Sequence, residues 1–498
     1  MKNGFLLTGV ALATLAATLA PTTAGATAGA AVGDPPPITL TMPKRVTAES
    51  YHGYVYLETG PRLTTGSEPF ELRAERPDDD YRQPVQVTWR KDGGDVTLPE
   101  GTMDDFNGLP RFFRTLIKGP YGRVLSRRYT PLCPSGETAR ARPDAPAHTP
   151  YPVGCPYNPF TLGSVVGVQE GWYSGFGDGF YGGEDVNLRP GRYTMITTIR
   201  AKYRTMFGVP DAASRQETVL RIVRASEGDW RATGRQLRQR RQQAARVAVP
   251  ARARPTGAAR VPDEGPKPDL RSLPAFGMRI SPKGNYLQFE ATVWNGGTSP
   301  LVVDGFRRPG QELMDAYQYF FDPDGNQTGY EQVGTMEWDA RPSHQHWHFT
   351  DFARYRLLTA DRTLARRSQK EAFCLANTDA VDYTLPFADW NPEGTDLGTA
   401  CGDSGSQSVR ESLATGSGDT YSQSRAGQSF KLKGLPNGTY YISVEANPEH
   451  NLIETTTENN DSLRKVVIGG RLGHRTVRYR QVGLVDDSMF SGYFRSRG

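Results

Sequence analysis

Cysteine and histidine are scarce in this chain, with four and seven residues respectively among 498. Four cysteines are too few to hold a protein of this length by a disulfide framework, so buried apolar side chains must carry its stability. Long apolar runs are also missing. Beyond residue 30 no stretch approaches the ~20 apolar residues that a spanning helix needs, so no membrane span is expected. The formal net charge is only +5, and the basic residues form no recognisable nucleic-acid module, so nucleic acid is not an expected partner. What the chain does have is 54 glycines and 37 prolines, with 37% hydrophobic and 23% charged residues. That composition favours turn-rich β architecture over helical bundles, and the expected class is mostly β.

The start of the chain reads as an export signal over residues 1–30. Lys2 precedes an apolar run from Phe5 to Leu19, and Ala24, Ala26, Ala28 and Ala30 offer cleavage sites. A secreted, extracellular protein follows, in which cysteines can pair. Cys133 with Cys155 and Cys374 with Cys401 are the sequence-local choices among three connectivities. Val85, Val87 and Trp89 alternate as on one face of a strand, and the Thr- and Ile-rich run Tyr193 to Tyr203 also predicts a strand. Gly171 to Gly183 holds too many glycines for a regular element and predicts a surface loop.

From Arg231 to Arg260 there are nine arginines and no acid, which predicts an exposed helix running into a disordered linker. The linker sets the boundaries: an N-terminal β-rich accessory domain over 35–225, an Arg- and Pro-rich linker over 226–267, a second domain over 268–472 and a C-terminal tail over 473–498. In the second domain Leu287, Phe289, Ala291 and Val293 alternate before an Asn295-Gly296-Gly297 turn, and Asp322 to Asn326 predicts a hairpin turn. Each half also holds a turn leading into a Tyr-rich strand, at Pro190-Gly191-Arg192-Tyr193 and at Pro436-Asn437-Gly438-Thr439-Tyr440. Two β-sandwich-like domains fit this pattern. The N-terminal half shows no catalytic constellation; His52 and His148 are isolated.

His344, His346 and His348 concentrate three of the seven histidines within five residues. In an extended segment they share one face, with Gln345 and Trp347 on the other. A straight strand would hold the outer Cα atoms about 13 Å apart, so the segment must bend for all three to reach one ion. Imidazole nitrogen suits copper or zinc, with Cu(II) favoured by intrinsic affinity. On the residues alone the metal and its chemistry stay open.

Glu337-Trp338, then His344-Gln345-His346-Trp347-His348, then Phe352, Tyr355, Leu357 and Leu358, resemble the copper-binding segment of the lysyl oxidase family. Lys370 in Gln369-Lys370-Glu371-Ala372-Phe373-Cys374-Leu375 and Tyr421 in Asp419-Thr420-Tyr421 look like that family's cofactor lysine and tyrosine. The similarity runs on through Gly438-Thr439-Tyr440, Val444, Asn447-Pro448 and Glu454 to Asn459-Asn460. It covers roughly 268–472 and leaves out the N-terminal half.

The resemblance implies a lysyl oxidase-like catalytic domain in which the three histidines bind copper and Lys370 and Tyr421 form a lysine tyrosylquinone. Its implied activity converts a primary amine and O2 to aldehyde, hydrogen peroxide and ammonia. The amine would be a lysine side chain of an extracellular protein or a small free amine. Asp269, Leu270, Glu454, Asn459 and Asn460 resemble a calcium site of family members; a polar β-turn is the competing reading of Glu454 to Asp461. One departure concerns the catalytic base. Animal members carry a further histidine after the copper motif, preceded by an acidic pair, where this chain reads Asp351-Phe352-Ala353-Arg354. A guanidinium stays protonated, which leaves Asp351 as the base or as a structural carboxylate. The alternative reading is an extracellular copper-binding β-sandwich without oxidase activity, with a zinc hydrolase a distant third.

Overall fold

The protein is described here from a computed structural model covering residues 35–51, 54–56, 60–175, 185–224, 252–341, 345–368, 372–422, 429–471 and 473–492. The export signal, His52, His344, Lys370 and most of the Arg-rich stretch lie outside the described residues. As the composition predicts, the fold is mostly β. Among the described residues the strands form six sheets, three in each half, within one compact unit, Pro36–Gly498.

The N-terminal half holds two four-stranded sheets and a seven-stranded one. Val87 and Trp89 of the strand Gln86–Arg90 are buried, together with Val85 just before it. Two sequence expectations need correction. The strand expected from Tyr193 to Tyr203 is Gly191–Ile199, and a helix, Ala201–Phe207, follows it. Ala, Lys, Arg and Met are good helix formers, Tyr203 and Phe207 bury one face four residues apart, and Gly208 closes the end at φ 63. The Gly171 to Gly183 stretch is not all loop: Trp172–Gly175 is a strand pairing with Arg62–Thr65 on one side and Glu137–Arg140 on the other. A Cβ at Gly175 would lie 2.4 Å from Nη1 of Arg62, so glycine admits this neighbour, and Trp172 anchors the strand in the core. Residues 176–184 lie outside the described set.

In the C-terminal half, Leu287, Phe289, Ala291 and Val293 all point into the main core from the strand Tyr286–Asn295. At its end the side-chain carbonyl of Asn295 accepts the backbone N–H groups of Asp269 and Gly297. Asp322 caps the hairpin between Leu313–Phe321 and Gln327–Asp339, accepting from the N–H groups of Asp324 and Asn326. The two Tyr-rich strands share a further device. The Tyr193 hydroxyl donates to the Arg189 carbonyl and that of Tyr440 to the Pro436 carbonyl, both at 2.8 Å and both four residues back. Each ring thus pins the turn that launches its strand, like the tyrosine corner of β-sandwiches.

The end of the Arg-rich stretch differs from the disordered linker expected. Arg252 lies 3.4 Å from Asp304 and over the Tyr319 ring, Arg254 pairs with Asp315, and Arg260 bridges Tyr330. Carboxylates on the second domain's sheet hold Arg252 and Arg254, and a backbone bridge holds Arg260, pairings that composition cannot reveal. Residues 473–492, expected as a tail, also join the fold. His474–Tyr479 pairs with Asp461–Arg471, and buried Asp487 meets buried Arg464 at 3.1 Å.

Candidate metal centre and its tyrosine

The strand His346–Phe349 pairs with the end of Gln327–Asp339, so that Asp339 faces His346, Trp338 faces Trp347 and Glu337 faces His348. The Glu-Trp and His-x-His-x-His segments are therefore one antiparallel unit. Gln345, just before the strand, sits in a left-handed conformation at φ 55. His346 and His348 project from one face with ring centroids 4.7 Å apart. Trp347 projects from the other and is fully buried. Its indole N–H donates to the Asp403 carbonyl at 2.9 Å, and its ring packs on Trp338 and under Arg307. The burial of that indole sets which way the imidazoles point.

Asp339 is the orienting group of this strand pair. Its carboxylate lies 3.4 Å from Nδ1 of His348 and also takes Nε of Arg341 at 2.8 Å. A carboxylate on Nδ1 fixes the tautomer and directs Nε2, on the far side of the ring, toward a metal. The donor set therefore fits a borderline ion such as copper, with His344, outside the described residues, as the expected third ligand.

Tyr421 lies on the strand Ser417–Ser422, opposite Ala291 of the core strand. Its ring packs edge-on against Phe373 at 4.7 Å, and its hydroxyl donates to the Cys374 carbonyl. Burial, then the nearby carboxylates of Asp419 and Glu411, push its pKa well up, so the phenol stays protonated at neutral pH. Those two acids were missed from the sequence. Asp419 shares the Tyr421 face at i, i+2, and the signal for it lay within the Asp-Thr-Tyr motif itself. Glu411 had no sequence signal; its carboxylate accepts the Leu375 N–H at 3.0 Å. The single peptide unit Cys374–Leu375 is thus held at its carbonyl by Tyr421 and at its N–H by Glu411.

These segments meet. Phe349, next to His348, exchanges both backbone hydrogen bonds with Phe373, and the Trp347 N–H donates to the Cys401 carbonyl at 3.0 Å. Cys401 is disulfide-bonded to Cys374, and Cys133 pairs with Cys155, both as expected. One disulfide therefore joins the partner of the histidine strand to the partner of Tyr421. Lys370 lies outside the described residues, four positions before Cys374.

Asp351 occupies the turn after the histidine strand in a left-handed conformation, φ 58. Arg354, second in the next strand, Ala353–Thr359, is taken up by Glu449 and Glu445. The five residues expected around calcium come together. Leu270 N–H donates to Glu454 at 2.7 Å, Asn460 donates to Glu454 at 2.9 Å, and Asn459 donates to both Asp269 oxygens. Among the described residues the buried Oδ1 atoms of Asn459 and Asn460 have no hydrogen-bond partner. Burial raises the pKa of Glu454. Two carboxylates and two spare amide oxygens are the donors a hard cation prefers.

Fold and site together define a mostly β protein whose C-terminal sheets bring a histidine strand and a partly buried tyrosine to one disulfide-linked corner. Residues 324–473 match the lysyl oxidase family model, and this part of the chain is a domain of the lysyl oxidase family, a family of amine oxidase-type oxidoreductases. A search of curated proteins found no match. The matched segment contains the histidine strand, Lys370, Tyr421, Glu454, Asn459 and Asn460, and begins after Asp269 and Leu270.

Proposed function

We propose that the protein is an exported oxidase of primary amines, working with copper at His344, His346 and His348 and with a quinone made from Lys370 and Tyr421. When present, copper and the quinone supply the O2 chemistry and the electrophilic carbonyl that turn an amine into aldehyde, peroxide and ammonia. The observation that carries the reading is the convergence just described: the hydrogen-bond partner of Tyr421 is Cys374, four positions after Lys370 and disulfide-linked to the partner of the histidine strand. The protein's own task is to hold the phenol oxygen against that carbonyl, exclude water around Phe373, and accept a proton. Asp351 and the buried Asp419 are the two carboxylates offered for proton transfer; Arg354, engaged by two glutamates, is not. Calcium at Asp269, Glu454, Asn459 and Asn460 would tie the beginning and end of the domain together.

Arg354 at the place of the family's further histidine favours a second reading, a copper-binding protein without turnover. Peroxide release on feeding butylamine or a lysine-containing peptide to the copper-loaded, oxygen-exposed chain separates the two. Turnover that is lost in Tyr421→Phe supports the oxidase; equal peroxide from wild type and variant leaves the binding protein.

A further inference from the structure

The solvent face of the N-terminal seven-stranded sheet has no part in the amine oxidase reading. Paired residues of neighbouring strands lie on the same face. One row runs Tyr129, Arg114, Thr198, Arg215, and the next runs Arg127, Leu116, Ile196, Glu217. Two further rows follow on the same side: Lys118, Thr194, Val219, Arg45, and then Arg192, Arg221, Thr47. The alternate residues, among them Ile117, Met195, Leu220 and Ile222, are buried behind the sheet. The arginines in these rows are exposed. Against them the register places Glu217, Glu49 opposite Val223, and Asp185 opposite Tyr56 at the sheet's edge. Among the described residues, Arg215 is the only one of these cations with a carboxylate partner, Glu217 at 3.1 Å, an exposed pair that neutralises little.

The face is also shaped. An open hollow of about 570 Å³ lies between Lys118, Arg192 and Arg215 and the turn Gly119 to Gly122. Tyr121, on that turn, is fully exposed at 106%. Tyr129, in one of these rows, is covered by Arg111 and Arg200 at 4.4 and 5.3 Å, which leaves Tyr121 as the bare aromatic surface beside the hollow. Strands ~4.8 Å apart and rows ~7 Å apart spread the guanidinium groups over a grid wider than one small anion can span. Guanidinium forks match carboxylate and sulfate groups, and a bare ring offers a flat apolar surface to a sugar. A strand of nucleic acid would call for a series of stacking rings, and among the described side chains the lining of the hollow holds one fully exposed ring, Tyr121.

We propose that this face is a docking surface for an acidic polysaccharide, with Lys118, Arg192 and Arg215 holding its anionic groups and Tyr121 stacking on a sugar ring. The test is a binding titration of the full chain with polygalacturonate at low and moderate salt, with dextran as neutral polymer and poly(dT) as nucleic acid. The expected result is salt-sensitive binding to polygalacturonate and none to dextran. The triple variant Lys118→Gln, Arg192→Gln, Arg215→Gln should bind at least about tenfold more weakly, a loss of roughly 1.4 kcal/mol. Tyr121→Ala should weaken binding while leaving its salt dependence unchanged, since the ring carries no charge. Lys433→Gln with Lys465→Gln, exposed lysines of the other half, should change nothing. Equal binding by the wild type and the triple variant, an equal loss in the control pair, or tighter binding of poly(dT) than of polygalacturonate would each overturn the proposal.

Discussion

Asp339 carries two obligations at once, to His348 and to Arg341, and the balance between them sets how well the imidazole is aimed. Hydrogen bonding to Asp339 raises the pKa of Arg341. Removing the carboxylate frees the tautomer of His348, so Asp339→Ala is expected to weaken copper binding about 10- to 100-fold, measured by competition with a chelator. Arg341→Gln should leave the affinity within a few-fold. Trp347 acts from the opposite face. Trp347→Ala should cost about 3–5 kcal/mol in a denaturant titration, because a fully buried indole and its hydrogen bond both go. The alternation of the histidines was legible from the sequence, and His346 and His348 do share one face of their strand. Asp339 was not legible, because a carboxylate five positions before the first histidine becomes a partner only through the hairpin register.

At the level of elements, the Cys374–Cys401 disulfide joins the histidine strand's neighbour to the carbonyl that holds Tyr421. Replacing both cysteines by serine is expected to cost about 2–4 kcal/mol of stability and to loosen the Tyr421 contact, read as a shift in its absorbance or fluorescence. A second element is the C-terminal segment, fastened by Arg464 and Asp487. Burial lowers the pKa of Arg464, and Asp487 counters that. Asp487→Ala would strand a buried guanidinium, and a loss of about 3–5 kcal/mol is expected by thermal or chemical unfolding. Strand alternation was legible wherever one face is buried, as at Leu287 to Val293. It misled at Tyr193 to Tyr203, where a helix of two turns continues the strand, and at Trp172–Gly175, where a strand flanked on both sides tolerates glycine. The packing of Arg252, Arg254 and Arg260 was illegible too, because Asp304 and Asp315 lie 52 and 61 positions from Arg252 and Arg254, and Arg260 is held by a backbone bridge to Tyr330.

The molecule as a whole is stitched across its halves. Asn158 of the N-terminal half donates to Thr292 at 2.9 Å and to Thr420, the neighbour of Tyr421, while Leu162 and Gly163 donate to the Val381 carbonyl. A change in the N-terminal half can therefore reach the tyrosine strand, which the division of the sequence into two domains did not suggest. The calcium reading also belongs at this scale, since it joins the beginning and end of one domain. A buried carboxyl with a raised pKa stabilises the fold while protonated, and that contribution is lost as pH rises through its folded value. At neutral pH the ionised Glu454 is thus a cost that a cation would offset. Added calcium should raise Tm at about pH 7, and the gain should shrink toward about pH 5 as protons compete; Glu454→Gln should abolish it. A Tm indifferent to calcium at both pH values would contradict the site.

The most direct test of the central claim is the visible spectrum of the copper-loaded, oxygen-exposed protein before and after phenylhydrazine, repeated for Lys370→Ala and Tyr421→Phe. The amine oxidase account predicts a coloured adduct in the wild type that both variants lack. Copper bound at the histidines with no adduct in the wild type, or an adduct that survives in either variant, would contradict it.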